Sequence, residues 1–131
     1  MVETILLPVD VSKASLWKKS IDTAIELARQ HGAKLHVLYV VPKLERNLAR
    51  LPEHHKPELE KFMRAVVPDD VKATSELKAG TKHREICRAA ERVKADLIVM
   101  GSHNPKMTDV LLGSHASSVV LNAPCSVYVV R

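Results

Sequence analysis

Short apolar runs alternate with amphipathic helical patterns along this chain of 131 residues, and the alternation limits the folds that it can adopt. The first run, 4–9, is continuous, which is typical of a parallel strand covered on both faces. Three more runs follow at 35–41, 95–100 and 126–130. Residues 71–79 instead alternate strictly between polar and apolar side chains, so we predict an edge strand with one solvated face.

Helical patterns lie between these five strands. The first helix is predicted to begin at Ser12, to carry Trp17 on its apolar face and to end before Gly32, which fits a C-terminal cap. Pro68 closes the second helix, and Thr81 can cap the third. Because parallel strands need crossover helices, we predict an α/β fold: a single doubly wound five-stranded parallel sheet, order 3-2-1-4-5, with helices on both faces.

The composition fits one compact domain that spans residues 1–131, since 46% of the residues are hydrophobic. No apolar run approaches the ~20 residues of a membrane span, and the N-terminus lacks both a basic flank and a cleavage pattern. Cys87 and Cys125 have no metal-ligand spacing and are predicted to be reduced thiols. We therefore expect a cytoplasmic protein without a membrane span.

The net charge of +5 raises the question of nucleic acid as a partner. Lysines and arginines are interspersed with carboxylates, and aromatic residues make up only 3% of the chain, so no stacking platform for bases is available. We predict no nucleic-acid partner, although the charge favours anionic ligands at long range. Six histidines show no metal-ligand spacing and are predicted to lie on the surface: His31, His36, His54, His55, His83 and His115.

Glycines follow the predicted fourth strand in a pattern that suits anion binding. Eight residues separate Gly101-Ser102-His103-Asn104 from Gly113-Ser114, and a helix is predicted over 114–122. Glycine lets backbone N–H groups close on an anion, and a helix N-terminus adds partial positive charge. The segment therefore indicates a nucleotide-binding protein. The chain lacks the GxxxxGK[ST] loop, so fast hydrolysis of the P-loop type is not expected.

The predicted topology brings a second segment to this loop. Sheets of this kind bind ligands beyond the carboxyl ends of their strands, where the strand order reverses, which here is between the first and fourth strands. The exit of the first strand, Pro8-Val9-Asp10, then meets the exit of the fourth, Met100-Gly101-Ser102-His103. We expect the two segments to form one cleft.

Six motifs are spread along essentially the whole chain: PVDVS at 8–12, YVVP at 39–42, GT at 80–81, ADLIVMGSH at 95–103, LLGS at 111–114 and APCSVYVVR at 123–131. In this order they resemble the motifs of the universal stress proteins of the UspA superfamily. The resemblance implies a small cytosolic, usually dimeric protein with the adenine nucleotide alpha hydrolase-like fold, whose ATP-binding members carry the pattern G-x2-G-x9-G-[ST]. Here Asn104 stands in place of the second glycine and only eight residues separate it from Gly113, which is similar to the nucleotide-binding F/G-type branch.

The resemblance and the predicted cleft together assign candidate nucleotide contacts. At the strand exits these are Pro8, Val9, Asp10 and Met100. Val40 resembles the family position whose backbone groups read the adenine edge, while its side chain packs in the core. The phosphates are predicted to contact the backbone amides of Gly101, His103, Asn104, Gly113, Ser114, His115 and Ala116.

Three of these residues have more than one interpretation. Asp10 faces the sugar or a nucleotide-bound magnesium ion, or it only caps the first helix. The Ser114 hydroxyl can donate to a phosphate or cap the last helix, and the two roles are compatible. His103 has no identifiable partner carboxylate or nucleophile, so we interpret it as a binding residue and assign no catalytic residue. Any chemistry is expected to be slow hydrolysis or self-phosphorylation.

The last strand predicts a homodimer. Val127, Tyr128, Val129 and Val130 form an apolar edge, and such an edge must be covered, charged or paired. Pairing across a two-fold axis would satisfy it, and the resemblance implies that subunits exchange edges at this strand. The alternative is an edge that is shielded by the neighbouring helix of the same chain.

Two functions are compatible with the sequence. The preferred interpretation is a regulatory module that binds ATP, ADP or AMP, with or without magnesium, and whose occupancy orders the loop from Ser102 to Leu112 for a protein partner to read. The alternative is a nucleotide-free dimeric stress adaptor in which Asn104 has disabled the site. A third class, the related adenine-nucleotide hydrolases and nucleotidylyl transferases, needs SGGxDS or HxGH motifs, which the sequence lacks.

Overall fold

The computed structural model describes residues 2–43, 52–102 and 113–131, which form five β-strands and four α-helices. The strands are β1 (Thr4–Val9), β2 (Lys34–Val41), β3 (Ala73–Ala79), β4 (Leu97–Gly101) and β5 (Ser126–Val130). The helices are α1 (Lys18–His31), α2 (Lys56–Val66), α3 (Lys82–Arg92) and α4 (Ser114–Asn122). Two short 3-10 helices, Val11–Trp17 and Pro52–His55, precede α1 and α2.

All five strands are parallel and lie in the order β3-β2-β1-β4-β5, which confirms the predicted sheet and the edge position of β3. β1 pairs with β2 along its whole length, from Thr4 opposite Lys34 to Val9 opposite Tyr39. Its pairing with β4 on the other side is restricted to Ile5 opposite Leu97 and Leu6 opposite Ile98. β1 and β4 therefore separate toward their carboxyl ends, and this separation opens the sheet at the point where the strand order reverses.

Apolar side chains cover both faces of the sheet, which accounts for the continuous apolar sequence of β1. Successive residues of a strand point to opposite faces. Ile5 and Leu7 pack with Ile21 of α1 on one face, whereas Leu6 packs with Ile86 of α3 on the other. Helices thus lie on both faces, as predicted. None of the helices in the described ranges is long and apolar enough to cross a bilayer.

The start of the first helix differs from its prediction. The chain leaves β1 into the 3-10 helix Val11–Trp17, which is interrupted by non-helical dihedral angles at Lys13, and α1 begins only at Lys18. The cause is local: Asp10 accepts hydrogen bonds from the backbone N–H and the hydroxyl of Ser12, and such short-range bonds compete with the α-helical pattern. At its other end α1 stops as predicted, because Gly32 adopts φ 61° and its N–H donates to carbonyls of the last turn.

Two histidines that were predicted to lie on the surface are buried, so that prediction was wrong for them. His36 and His55 are only 8% and 7% exposed. The edge strand β3 supplies the polar partners of His36: Nδ1 lies 2.6 Å from Thr74 Oγ1, and Nε2 lies 2.9 Å from Glu76 Oε2. The His55 ring packs edge-on against Tyr39, with 5.7 Å between the ring centroids. A histidine can be buried in this way when its ring nitrogens find partners.

β5 forms the second edge of the sheet described here. Tyr128 is 47% exposed, whereas Val127 and Val129 are half-buried. Val130 is buried among residues on the α1 face. The predicted dimer surface therefore contains an exposed aromatic ring and backbone groups of an edge strand, and the side chain of Val130 belongs to the core of its own chain.

Candidate functional site

A cavity of about 380 Å³ opens at the carboxyl ends of β1, β2 and β4, where β1 and β4 separate. It brings together every predicted nucleotide contact that lies in the described ranges: Pro8, Val9, Asp10, Val40, Met100, Gly101, Gly113, Ser114, His115 and Ala116. His103 and Asn104 lie outside those ranges. Two segments separated by about ninety positions in the sequence therefore line one cavity, as the predicted topology requires.

The end of β4 points one of its backbone amides toward this cavity. The Ser102 N–H donates to the Val130 carbonyl of β5 at 3.0 Å. Because successive amides of a strand point in opposite directions, the N–H of Gly101 faces the β1 side, where pairing with β4 has already ended. A main-chain donor is thus available at the predicted phosphate-binding glycine.

Gly101 has a second reason to be glycine, which the sequence analysis missed. A Cβ atom built at this position would lie 2.5 Å from Cε3 and 2.7 Å from Cζ3 of Trp17. The indole ring therefore occupies the space that a side chain would fill, and it lines the cavity beside Leu16. Trp17 also packs against the core on the α1 face. The prediction of Trp17 on an apolar helix face described only this second contact.

Gly113 begins α4 as its N-cap, so the interpretation of Ser114 as the cap is wrong. The Gly113 carbonyl accepts the first helical bond, from the Ser117 N–H at 2.9 Å, and Ser114 is the first residue inside the helix. The N–H groups of the first helical turn have no partner within a helix and are available to an anion. The backbone of Gly113, with φ −62° and ψ 157°, is one that any residue adopts, so no left-handed conformation requires glycine here.

Asp10 has the predicted capping role and also lies at the cavity. Its Oδ1 atom accepts from Ser12 Oγ at 2.6 Å and from the Ser12 N–H at 3.1 Å, so Asp10 caps the 3-10 helix. Asp10 also lines the cavity, and Oδ2 takes part in neither of these bonds. The capping role therefore leaves one carboxylate oxygen for a ligand.

The inner part of the cavity is apolar. Val40 and Met100 are each 6% exposed, Ile86 is 4% exposed and Leu38 is fully buried. The side chain of Val40 packs in the core with these residues, as predicted. A flat apolar ring would find dispersion contacts on these walls, and the end of β2 would supply main-chain polar groups at its edge.

Two basic side chains that were not among the predicted site residues also border the cavity. Lys13 contributes from the 3-10 helix, and Lys82 contributes from the first position of α3. The signal was present in the topology, because each helix that follows a strand of a parallel sheet begins at the carboxyl edge. Gly80-Thr81 before α3 marked that position, but the cation next to it was not assigned.

His115 lies in the same basic surroundings. Its ring is 5.7 Å from that of His83, measured between centroids. Burial lowers the pKa of His115 below its ordinary value, and the charges of Lys82 and His83 lower it further. These surroundings thus disfavour protonation of His115. Within the described ranges, no cluster of three His, Cys, Asp or Glu residues is placed to hold a metal ion.

Sequence and structure comparisons agree with this architecture. The family model of the universal stress protein family matches residues 1–131. Universal stress protein G of Salmonella typhimurium is 35% identical over 143 aligned positions, which cover 100% of both chains, and this agrees with the predicted likeness to the F/G-type branch. The structure of the universal stress protein UspA from Lactobacillus plantarum superposes with a TM-score of 0.78 at 28% identity, covering 99% of this chain and 98% of the other. The chain belongs to the universal stress protein family.

Two further structures of similar fold contain adenine nucleotides. One is a universal stress protein in complex with cAMP, with a TM-score of 0.69, 22% identity and 99% of this chain covered. The other is the universal stress protein from Archaeoglobus fulgidus in complex with dAMP, with a TM-score of 0.71, 18% identity and 100% of this chain covered. At these identities the likeness shows a common fold.

Proposed function

We propose that this chain is an adenine-nucleotide-binding regulatory module of the cytoplasmic stress response. One observation carries the proposal: the predicted contacts from the β1 exit, the β4 exit and the start of α4 line a single cavity. The cAMP and dAMP complexes of proteins with the same fold support adenine as the base. The adaptor alternative has no comparable observation in its favour.

The walls of the cavity suggest how a nucleotide lies in it. The adenine ring packs among Leu38, Val40 and Ile86, and the backbone of Val40 reads its edge. Asp10 faces the ribose or a magnesium ion bound to the nucleotide. The phosphates approach the Gly101 amide and the first turn of α4, where unpaired N–H groups and the helix dipole favour negative charge.

Magnesium fits this arrangement through the nucleotide. Mg²⁺ is usually held by one or two carboxylates together with phosphate oxygens. The Oδ2 atom of Asp10 is the carboxylate oxygen at the cavity that capping does not use, so it is the ligand that this chain would supply. A bound ion would neutralise phosphate charge beside Asp10.

The regulatory part of the proposal concerns what a partner protein senses. The loop that we expect nucleotide to order, Ser102 to Leu112, lies almost entirely outside the described residues. The proposed homodimer through Val127, Tyr128, Val129 and Val130 is supported by the edge position of β5 and by the exposure of Tyr128. The nucleotide-bound dimer is the form that we expect an unidentified protein partner to bind.

The resident ligand can be tested directly. A mass spectrum of the freshly isolated and denatured protein should contain ATP, ADP or AMP. Equilibrium dialysis with ATP and AMP should then show saturable binding. The adaptor alternative predicts no saturable binding of either nucleotide at millimolar concentration.

A further inference from the structure

Basic residues are concentrated at the N-termini of the two helices that border the cavity. The first turn of α3 begins with Lys82, His83 and Arg84, and the first turn of α4 contains His115 and no acidic residue. A helix N-terminus favours acidic side chains, so the positive charges of Lys82 and Arg84 oppose the dipole of α3. Residues that lower the stability of a helix and lie at a cavity indicate a functional role.

No carboxylate of the described residues forms an ion pair with Lys82. Glu85, the acidic residue of the first turn of α3, pairs with Arg88, with 3.4 Å between Oε2 and Nη1. Asp10 is hydrogen-bonded to Ser12 and forms no ion pair with a residue of the described ranges. Within the ranges that the structure describes, neither Lys82 nor Lys13 forms an ion pair.

The two lysines belong to different walls of the cavity. Lys82 begins α3, which packs on one face of the sheet, and Lys13 lies in the 3-10 helix that leads to α1 on the other face. A linear polyphosphate extending from the Gly101 amide toward solvent can interact with both ammonium groups. A single phosphate, or a cyclic phosphate held against the ribose, presents less charge to them.

We propose that Lys82 and Lys13 bind the phosphate tail and make this site selective for nucleotides with a long, highly charged tail. The inference rests on the proposed function and extends it, because it assigns the choice among ATP, ADP, AMP and cyclic nucleotides to two side chains. Affinity should follow the order triphosphate, diphosphate, monophosphate, cyclic monophosphate. Adenosine, which lacks a phosphate, should be insensitive to both lysines.

Titration calorimetry of the full chain tests the assignment with four probes: ATP, AMP, adenosine and inorganic tripolyphosphate. Lys82→Met keeps the length of the side chain and removes its charge, and Lys61→Met on the exposed surface of α2 makes the same change away from the cavity. We expect Lys82→Met to lower the affinity for ATP by about tenfold or more and the affinity for adenosine by less than about twofold, since the lost interaction is with the phosphate tail. Lys61→Met should leave both affinities unchanged.

Lys82→Glu separates binding from folding. An acidic residue at the first position of α3 suits the helix dipole, so the thermal midpoint should be equal to or above that of the wild type. Lys82→Glu should lower the affinity for ATP more than Lys82→Met does, because the phosphate tail is then repelled by a carboxylate. Lower affinity with undiminished stability would support a direct contact, whereas a fall in both would overturn it.

The outcomes distinguish this inference from the proposed function. If the wild type binds adenosine and ATP but Lys82→Met leaves their affinity ratio unchanged, the tail assignment is wrong and the nucleotide site stands. If no adenine ligand binds but tripolyphosphate binds in a manner that depends on Lys82, the nucleotide proposal is wrong and the anion site stands. Equal weakening of ATP and adenosine would identify a structural role for Lys82 and overturn the inference.

Discussion

Gly113 is a position where the backbone does not require glycine but a bound phosphate would. Its φ of −62° is open to any residue, and a Cβ atom built there meets no atom of the described chain within 4 Å. Gly113→Val should therefore fold, losing on the order of 1 kcal/mol because valine is a poorer N-cap. Its branched side chain should fill space that a phosphate needs, so ATP affinity should fall about tenfold or more.

Calorimetry with ATP and with adenosine measures this effect. Adenosine affinity serves as the internal control and should change little. A folded Gly113→Val protein that binds ATP as tightly as the wild type would show that no phosphate approaches the start of α4.

His115 gives the site a predictable dependence on pH. Its pKa lies below the ordinary value of 6.5 in the folded protein, owing to burial and then to Lys82 and His83. The unfolded chain therefore binds a proton at a higher pH than the folded chain does. The contribution of neutral His115 to stability is fully present above pH 6.5, and it is lost as the pH falls from 6.5 toward the lowered pKa.

Thermal midpoints of the wild type and of His115→Gln, measured without nucleotide between pH 7.5 and 5.5, test this sign. As the pH falls, the thermal midpoint of the wild type should decrease more than that of the variant. Saturating ATP should reduce the shift, because a phosphate tail favours the protonated ring. A constant difference across the range would contradict the lowered pKa.

At the scale of elements, the contact between β4 and the 3-10 helix should be sensitive to one methyl group. The Cβ atom of Gly101→Ala would lie 2.5 Å from a ring carbon of Trp17, so the ring must move. We expect a loss of about 1–3 kcal/mol in the free energy of unfolding, which is typical of overpacking. Chemical denaturation measures it.

A double-mutant cycle supplies the control for this contact. In a Trp17→Leu background the smaller side chain leaves room for the alanine methyl group, so Gly101→Ala should destabilise the protein less there. Strictly additive effects would mean that the indole and Gly101 do not compete for the same space.

Elements with regular patterns were predictable from the sequence, and features that depend on contacts between elements were not. The bounds predicted for α4 and β5, 114–122 and 126–130, agree with the structure because caps and turn residues mark their ends. The burial of His36 depends on the register of β2 against β3, which local sequence does not specify. The 3-10 helix after β1 depends on the hydrogen bonds between Asp10 and Ser12, which compete with the α-helix that the amphipathic sequence pattern predicts from Ser12.

The residues of the candidate site likewise divide into those that local sequence predicts and those that depend on contacts between elements. The strand exits and Gly113–Ala116 could be predicted because glycine spacing and topology place them. Trp17 could not be assigned, since its place in the cavity results from its packing beside Gly101 of β4. Lys82 was missed although the topology places the start of α3 at the carboxyl edge of the sheet.

At the scale of the whole molecule, the exposed edge at β5 predicts self-association. Tyr128 is 47% exposed on a strand whose outer backbone groups face away from the sheet. The wild type should sediment as a dimer. Tyr128→Lys should raise the dimer dissociation constant at least about tenfold, because it places like charges on both sides of a two-fold axis.

Gln30→Lys, at an exposed position of α1, is the matched control and should leave the dimer intact. A wild type that sediments as a monomer at high concentration would contradict the edge pairing. An unchanged dimer in Tyr128→Lys would place the interface elsewhere.

The central claim is that the cavity between β1 and β4 holds an adenine nucleotide, and equilibrium dialysis against ATP tests it most directly. Trp17, the single tryptophan of the chain, lines the cavity, so its fluorescence should change over the same concentration range. We predict saturation at one nucleotide per chain, with Gly113→Val shifted to higher concentration. Absence of saturable binding by the folded wild type at millimolar ATP would contradict the account.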